Sequence, residues 1–311
     1  MPHVTFIHGI ANKPAPDVLL SLWRESLARD DGLDLGAEGV TSTMVYWADV
    51  MYPEPQEEMA EHESNDSVIA KTDADIEMVW QAQLDGDEKE WAASLAARLD
   101  FDTAPPGDDN DFAPAESDME SAEFERIPLP WWLKRRIMKT FLRDVHHYLF
   151  NAESSPREGE TYRVQDEIRR RMIDALIEGS QNPGPHVVVS HSMGTVIAYD
   201  CLKRVADCPG VTALMTIGSP LGLDEIEEKL KPEWTREDGY PDRAAAGWVN
   251  VYDALDPVAG LDPKVANDYQ RAGQRVVTDI KEPNYGRWRH NISKYLGGEQ
   301  LREALAGHLG L

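Results

Sequence analysis

Residues 186–194 read HVVVSHSMG, and this stretch decides the fold. Its unbroken apolar run is typical of a strand that is buried on both faces of a parallel sheet. The segment that follows, residues 193–205, has apolar residues at helical spacing. The stretch therefore predicts a strand, a sharp turn at Ser192 and a helix.

The same alternation of strand and helix recurs on both sides of this stretch. Apolar patterns predict further strands over residues 3–8, 41–47, 212–217, 247–252 and 275–280, and helices over residues 17–29, 164–178 and 299–308. Such alternation predicts an α/β fold, with a mostly parallel central sheet that has helices on both faces. Ligands of these sheets bind beyond the carboxyl ends of the strands, where the turn at Ser192 falls.

Ser192 stands where a serine nucleophile would stand. A sharp turn from strand to helix lifts a serine clear of its surroundings, and the residues two before and two after it must be small. Here they are Ser190 and Gly194. Residues 92–96, AASLA, match the same spacing, but they lie inside a predicted helix with no strand before it. Context therefore favours Ser192.

The segment VVVSHSMG resembles the nucleophile elbow of lipases and esterases of the α/β-hydrolase superfamily, and residues 6–10, FIHGI, resemble the His-Gly loop of that family. The resemblance covers about residues 1–50 and 160–311. It implies the α/β-hydrolase fold, with backbone N–H groups of Ile10 and Met193 as the oxyanion hole. One departure is Ser190, where the family usually has glycine or alanine.

In enzymes of this superfamily the serine acts with an acid and a histidine base, which together form a catalytic triad. The acid and the base follow the serine in the chain, in the order Asp or Glu, then His. His290 fits this order and lies in a loop after the last predicted strand, whereas His308 lies in the last four residues of the chain. The sequence DALDPV after the strand over 247–252 holds two candidate acids. The resemblance favours Asp256, and Asp253, which is nearer the strand end, stays open as the alternative.

Residues 52–155 have no counterpart in this resemblance, and we expect them to form a largely helical, acidic lid or cap within one domain of residues 1–311. Residues 53–126 hold 23 Asp or Glu against 4 Lys or Arg. Helical spacing is found over 75–99, a loop is expected over 102–121, and residues 130–142 form a basic helix with an apolar face. Residues 131–150 would either pack on the domain, which we prefer, or contact a membrane surface.

Charge and motifs limit the partners. The net charge of −25 argues against nucleic acid, because phosphates would be repelled. His146-His147 lacks the i, i+4 spacing of a metal pair and no CxxC occurs, so we expect neither metal nor cofactor. The amino terminus has no basic region and no apolar run of membrane-spanning length occurs, which favours a cytoplasmic location.

These features together predict a serine hydrolase that cleaves small-molecule or lipid esters through an acyl-Ser192 intermediate. Two alternatives stay open. The same triad would serve a thioesterase or an amidase, since both reactions are acyl transfers. A hydrolase fold can also serve as a binding or regulatory module without catalysis.

Overall fold

The computed structural model describes residues 1–56, 78–99, 131–285 and 288–311. Its centre is a six-stranded sheet in the order β2-β1-β5-β6-β7-β8, in which all neighbouring strands are parallel. Strands β3 and β4 form a separate antiparallel pair. The strands are β1 His3–Ile7, β2 Thr41–Val45, β3 Glu153–Ser154, β4 Tyr162–Arg163, β5 His186–His191, β6 Val211–Ile217, β7 Ala244–Tyr252 and β8 Thr278–Lys281.

Eight α-helices accompany these strands within the described residues. They are α1 Pro16–Ala28, α2 Gly86–Arg98, α3 Trp131–Leu149, α4 Val164–Ser180, α5 Met193–Arg204, α6 Asp224–Leu230, α7 Ile292–Leu296 and α8 Glu299–Leu309. The prediction of an α/β fold with a parallel sheet is confirmed.

Helices cover both faces of the sheet. Side chains alternate between faces along a strand, so Val187 and Val189 join one buried cluster while Val188 joins the other. The first cluster contains α1, α7 and α8, and the second contains α2 to α6. Crossovers between parallel strands are right-handed. From β1 the chain crosses to β2 on one side, and from β5 it crosses to β6 on the other side. The helices after these two strands therefore lie on opposite faces.

The strand order reverses between β1 and β5, which are neighbours in the sheet. The connections that leave their carboxyl ends turn to opposite faces, so a crevice opens between them. The loop after β1 carries Gly9 and the turn after β5 carries Ser192. The topology thus brings together two segments that are far apart in the sequence.

Helices α2 and α3 belong to the segment between β2 and β3. From Met138 onward, the apolar face of α3 is buried in the same cluster as Trp91 and Leu95 of α2. From Met138 onward, the apolar face of α3 is therefore covered by other parts of the protein. No helix among the described residues has the length and apolar content needed to cross a membrane.

Several predicted elements differ from the observed ones. Helices α6 and α7 were not predicted, because they have only 7 and 5 residues, too few for a helical pattern to repeat. Helical spacing over 75–99 corresponds to a 3-10 helix at Met78–Gln83 followed by α2, which an Asp85 capping box begins. Helix α3 runs over Trp131–Leu149, beyond the basic helix expected over 130–142 and close to the longer segment 131–150. The loop expected over 102–121 lies outside the described residues.

Candidate active site

Ser192 lies in a strained turn between β5 and α5. Its φ of 54° and ψ of −129° are rare for a residue with a side chain. Its N–H donates to the Ile217 carbonyl at 2.9 Å, which ties the turn to β6. A Cβ atom on Gly194 would lie 2.6 Å from the His8 carbonyl oxygen, so only glycine lets α5 approach β1 this closely. The local structure is the strand–turn–helix that the sequence predicts.

Ser190, the departure from the family pattern, has a structural role. Its Oγ donates to the Met215 carbonyl of β6 at 2.8 Å and is fully buried. The hydroxyl is therefore satisfied inside the sheet, and the small side chain still fits under the turn.

The loop after β1 lies directly against Ser192. A Cβ atom on Gly9 would lie 2.6 Å from the Ser192 Cβ and 3.1 Å from its Oγ. The preceding His8 is clamped by Trp47, whose backbone N–H donates to His8 Nε2 and whose indole donates to the His8 carbonyl, both at 3.0 Å. Burial and nearby Lys13 hold the pKa of His8 well below its usual value. A neutral His8 therefore holds the loop, and Gly9 makes the contact with Ser192.

Asp256 and His290 form a buried pair. His290 Nδ1 lies 2.8 Å from both carboxylate oxygens of Asp256. Tyr295 donates its hydroxyl to Asp256 Oδ2 at 2.8 Å, and two backbone N–H groups of the following loop donate to Oδ1. Burial alone would raise the pKa of Asp256, but His290 and these donors outweigh it and lower the pKa. The carboxylate is thus ionised and aimed at His290.

Asp253, the alternative acid, has other partners. Its Oδ2 accepts the Asn284 N–H at 2.9 Å and an Arg289 guanidinium N–H at 3.2 Å, and its Oδ1 accepts the Leu255 N–H at 2.9 Å. It fastens the loop that carries His290. Of the two candidates, the geometry pairs Asp256 with the histidine.

Contacts on either side of the serine bring His290 to it. His191 Nε2–H donates to the His290 carbonyl at 3.0 Å, and the two rings lie 4.7 Å apart. A Cβ atom on Gly218, which has a φ of +56°, would lie 3.1 Å from Asp256 and 3.2 Å from His290. Within the described residues, Ser192 Oγ and His290 Nε2 are both buried and lack hydrogen-bond partners. Each of the two side chains therefore keeps one buried polar atom without a partner, and the contact through His191 places His290 next to the residue that precedes Ser192.

Both expected oxyanion donors border this place. Met193 is the first residue of α5, and the first N–H groups of a helix have no acceptor within it. Ile10 directly follows Gly9, the residue that contacts Ser192. Both Met193 and Ile10 are buried.

The rejected candidates lie elsewhere. Ser94 is on α2 and donates to Glu225 at 2.7 Å. His308 lies beside Gly247 in the first half of β7, whereas Ser192 lies beyond the carboxyl ends of the strands. Ser219, in the loop after β6, forms a 2.8 Å hydrogen bond with Thr195.

Sequence reasoning missed three residues that hold the pair in place: Tyr295, His191 and Gly218. Tyr295 bridges the two candidate acids, since its hydroxyl also accepts the Asp253 N–H at 2.9 Å. It lies on α7, which no pattern predicts. His191 lies inside the motif around Ser192 and Gly218 directly follows β6, but their contacts with His290 depend on how the loop after β8 returns to the sheet.

In the part of the chain that the structure describes, no group of three His, Cys, Asp or Glu side chains is arranged to hold a metal ion. A comparison with models of known protein families gives no match. A search among curated proteins likewise finds no match.

Proposed function

We propose that the chain is a serine hydrolase of the α/β-hydrolase type that cleaves carboxylic esters, with Ser192 as nucleophile, His290 as base and Asp256 as acid. One observation carries the proposal. The Asp256–His290 pair is buried, His290 contacts the residue that precedes Ser192, and both His290 Nε2 and Ser192 Oγ lack a hydrogen-bond partner, at the crevice of a parallel sheet. Each buried polar atom without a partner calls for an explanation, and a reactive group is one such explanation.

The chemistry follows from these atoms. His290 Nε2 accepts the proton of the Ser192 hydroxyl while Oγ attacks the ester carbonyl. Negative charge develops on the carbonyl oxygen, and the N–H groups of Met193 and Ile10 stabilise it. The alcohol leaves with the proton from His290. Water, activated by the same histidine, then hydrolyses the acyl-serine.

Asp256 supports both proton transfers. As an ionised acceptor at Nδ1, it keeps the proton of neutral His290 on that nitrogen, so that Nε2 is free to act as base. It also stabilises the imidazolium that forms.

The segment over 52–155 is proposed as a lid or cap on this site. Its described helices pack on the same face of the sheet as α5, which begins at Met193. The buried apolar face of α3 supports packing on the domain over contact with a membrane surface. We also propose a cytoplasmic location, on the sequence features given above.

Hydrolysis of p-nitrophenyl esters from acetate to octanoate tests the proposal. Ser192→Ala should lower kcat at least about 10³-fold, because no other group supplies the nucleophile. Ser94→Ala, a change at the chance match of the same motif, is the matched control and should retain turnover. Equal turnover by wild type and Ser192→Ala, with both folded by circular dichroism, would overturn the proposal.

A further inference from the structure

Helix α3 reaches the loop that follows β1 through one carboxylate. Asp144 is fully buried, and its Oδ2 accepts the backbone N–H of Ala11 at 2.9 Å. Ala11 directly follows Ile10. It has a φ of +69°, a left-handed conformation that a residue with a side chain adopts only when its surroundings hold it there. The contact from Asp144 supplies such a hold.

The other partners of Asp144 fix it in turn. Tyr52 donates its hydroxyl to Oδ2 at 3.0 Å. Arg143 donates to Oδ1 through Nε at 2.9 Å and Nη2 at 2.7 Å. The carboxylate has no access to water, and these donors supply its hydrogen bonds and hold it in one orientation. The positive charge of Arg143 balances its negative charge. Balance matters because an unpaired anion here would repel an oxyanion nearby.

Three successive residues of this loop thus have defined surroundings. Gly9 lies against Ser192, Ile10 is buried, and Ala11 is bonded to Asp144. The Ala11 N–H belongs to the Ile10–Ala11 peptide, and the Ile10 N–H belongs to the Gly9–Ile10 peptide before it. The bond to Asp144 fixes the first of these planes and the contact with Ser192 limits the second, so Ile10 is held from both sides. One of these two holds comes from a helix about 130 residues further along the chain.

We propose that Asp144 is a positioning residue for the oxyanion hole, which gives helix α3 one contact that supports catalysis. Asp144 holds Ala11 so that the Ile10 N–H meets the carbonyl oxygen of the tetrahedral intermediate on Ser192. This role rests on the proposed serine hydrolase activity. It assigns a catalytic purpose to the segment between β2 and β3, which carries no family motif.

The chain contains a matched control for the alternative, that Asp144 only anchors α3. Asp200 of α5 is also fully buried and accepts the Tyr148 hydroxyl of α3 at 2.6 Å. Arg169 donates to both of its oxygens, at 2.6 and 2.8 Å. Asp200 therefore also anchors α3 with a tyrosine and an arginine, but it makes no hydrogen bond to the loop after β1.

The test compares Asp144→Ala and Asp144→Asn with Asp200→Ala and Asp200→Asn. We measure kcat and KM for p-nitrophenyl butyrate, the Ki of a trifluoromethyl ketone and the melting temperature. The ketone forms a tetrahedral adduct with a negative oxygen, so its Ki reports on the oxyanion hole. Asp144→Ala should lower kcat about 10- to 100-fold. This is no more than the effect of removing one oxyanion donor, because the donor is misplaced and not deleted. KM should stay within about 3-fold, because a ground-state ester makes little use of that donor.

The ketone Ki should rise by the same factor as kcat falls in the Asp144 variants, and should stay within about 3-fold in the Asp200 variants. Melting temperatures should fall in both sets. If neither Asp144 variant folds, Tyr52→Phe against Tyr148→Phe makes the same comparison, with an expected loss in kcat of about 3- to 10-fold at Tyr52 only.

Equal losses of kcat and ketone affinity at Asp144 and Asp200, or no loss at Asp144, would overturn the positioning role while the hydrolase activity stands. Wild-type protein that neither turns over the ester nor binds the ketone would overturn the proposed function, and the positioning role with it.

Discussion

Asp256→Asn is the substitution that separates the proposed triad from a chance arrangement of the same residues. Two backbone N–H groups donate to Asp256 Oδ1 at 2.8 and 3.1 Å. An asparagine must keep its oxygen there, since its NH₂ group cannot accept. The NH₂ group then occupies the Oδ2 position, 2.8 Å from His290 Nδ1 and from the Tyr295 hydroxyl.

The consequence is a change of tautomer at His290. Nδ1 then lies 2.8 Å from the NH₂ donor and 2.8 Å from an amide oxygen that is uncharged and already accepts two backbone N–H groups. A proton on Nδ1 therefore loses its strong acceptor, and the tautomer with the proton on Nε2 is favoured. That nitrogen can then no longer accept the proton of Ser192. A wrong tautomer of this kind lowers kcat about 10⁴-fold in a serine protease, which corresponds to about 5.5 kcal/mol in the activation free energy. We expect a loss of about 10³- to 10⁴-fold here.

The matched control is Asp253→Asn, three residues away and equally buried. Asp253 bonds the loop around His290 but not its ring, so its variant should lose no more than about 10-fold in kcat. Both variants are assayed with p-nitrophenyl butyrate at pH 8, with circular dichroism as the check of folding. If folded Asp256→Asn keeps more than a tenth of wild-type kcat, or if Asp253→Asn loses more than Asp256→Asn, our assignment of the acid is wrong.

Three further substitutions test the surroundings of the site. Gly9→Ala places a Cβ 2.6 Å from the Ser192 Cβ and should lower kcat/KM about 100-fold by displacing the nucleophile; unchanged kinetics would refute the close contact. Ser190→Ala removes the hydrogen bond to Met215 and should cost about 1 kcal/mol in urea unfolding with kcat within about 2-fold. Burial and nearby carboxylates raise the pKa of Glu227 from 4.5 to about 8, so the folded state favours the protonated form. Its stabilising effect is complete below pH 4.5 and is lost as the pH rises through about 8. Relative to Glu227→Gln, the free energy of unfolding of the wild type should fall by about 3.5 kcal/mol between pH 5 and 8, and parallel profiles would contradict this.

The sheet and its order of elements follow from local patterns. Apolar runs such as the valines of β5 are strong because both faces of a parallel strand are buried. Bounds shift by a few residues where packing, not propensity, ends an element. Strand β7, for example, begins at Ala244 and not at 247.

Candidate residues could be recognised where a local motif marks them, as at Ser192, Asp256 and His290. Their support could not be recognised in the same way. The bond from Asp144 to Ala11 spans 133 residues and the bond from Tyr295 to Asp256 spans 39. Neither residue type is unusual at its position in the sequence. Only the fold brings these partners together, so their roles can be recognised only in the folded structure.

Reaction with a fluorophosphonate probe, followed by intact mass measurement and peptide mapping, tests the central claim most directly. The probe requires an activated serine but no knowledge of the physiological ester. We expect one adduct per chain, located on Ser192, retained in Ser94→Ala and absent from Ser192→Ala. Folded protein that forms no adduct at saturating probe, or that carries the adduct on another residue, would contradict the assignment of Ser192 as nucleophile.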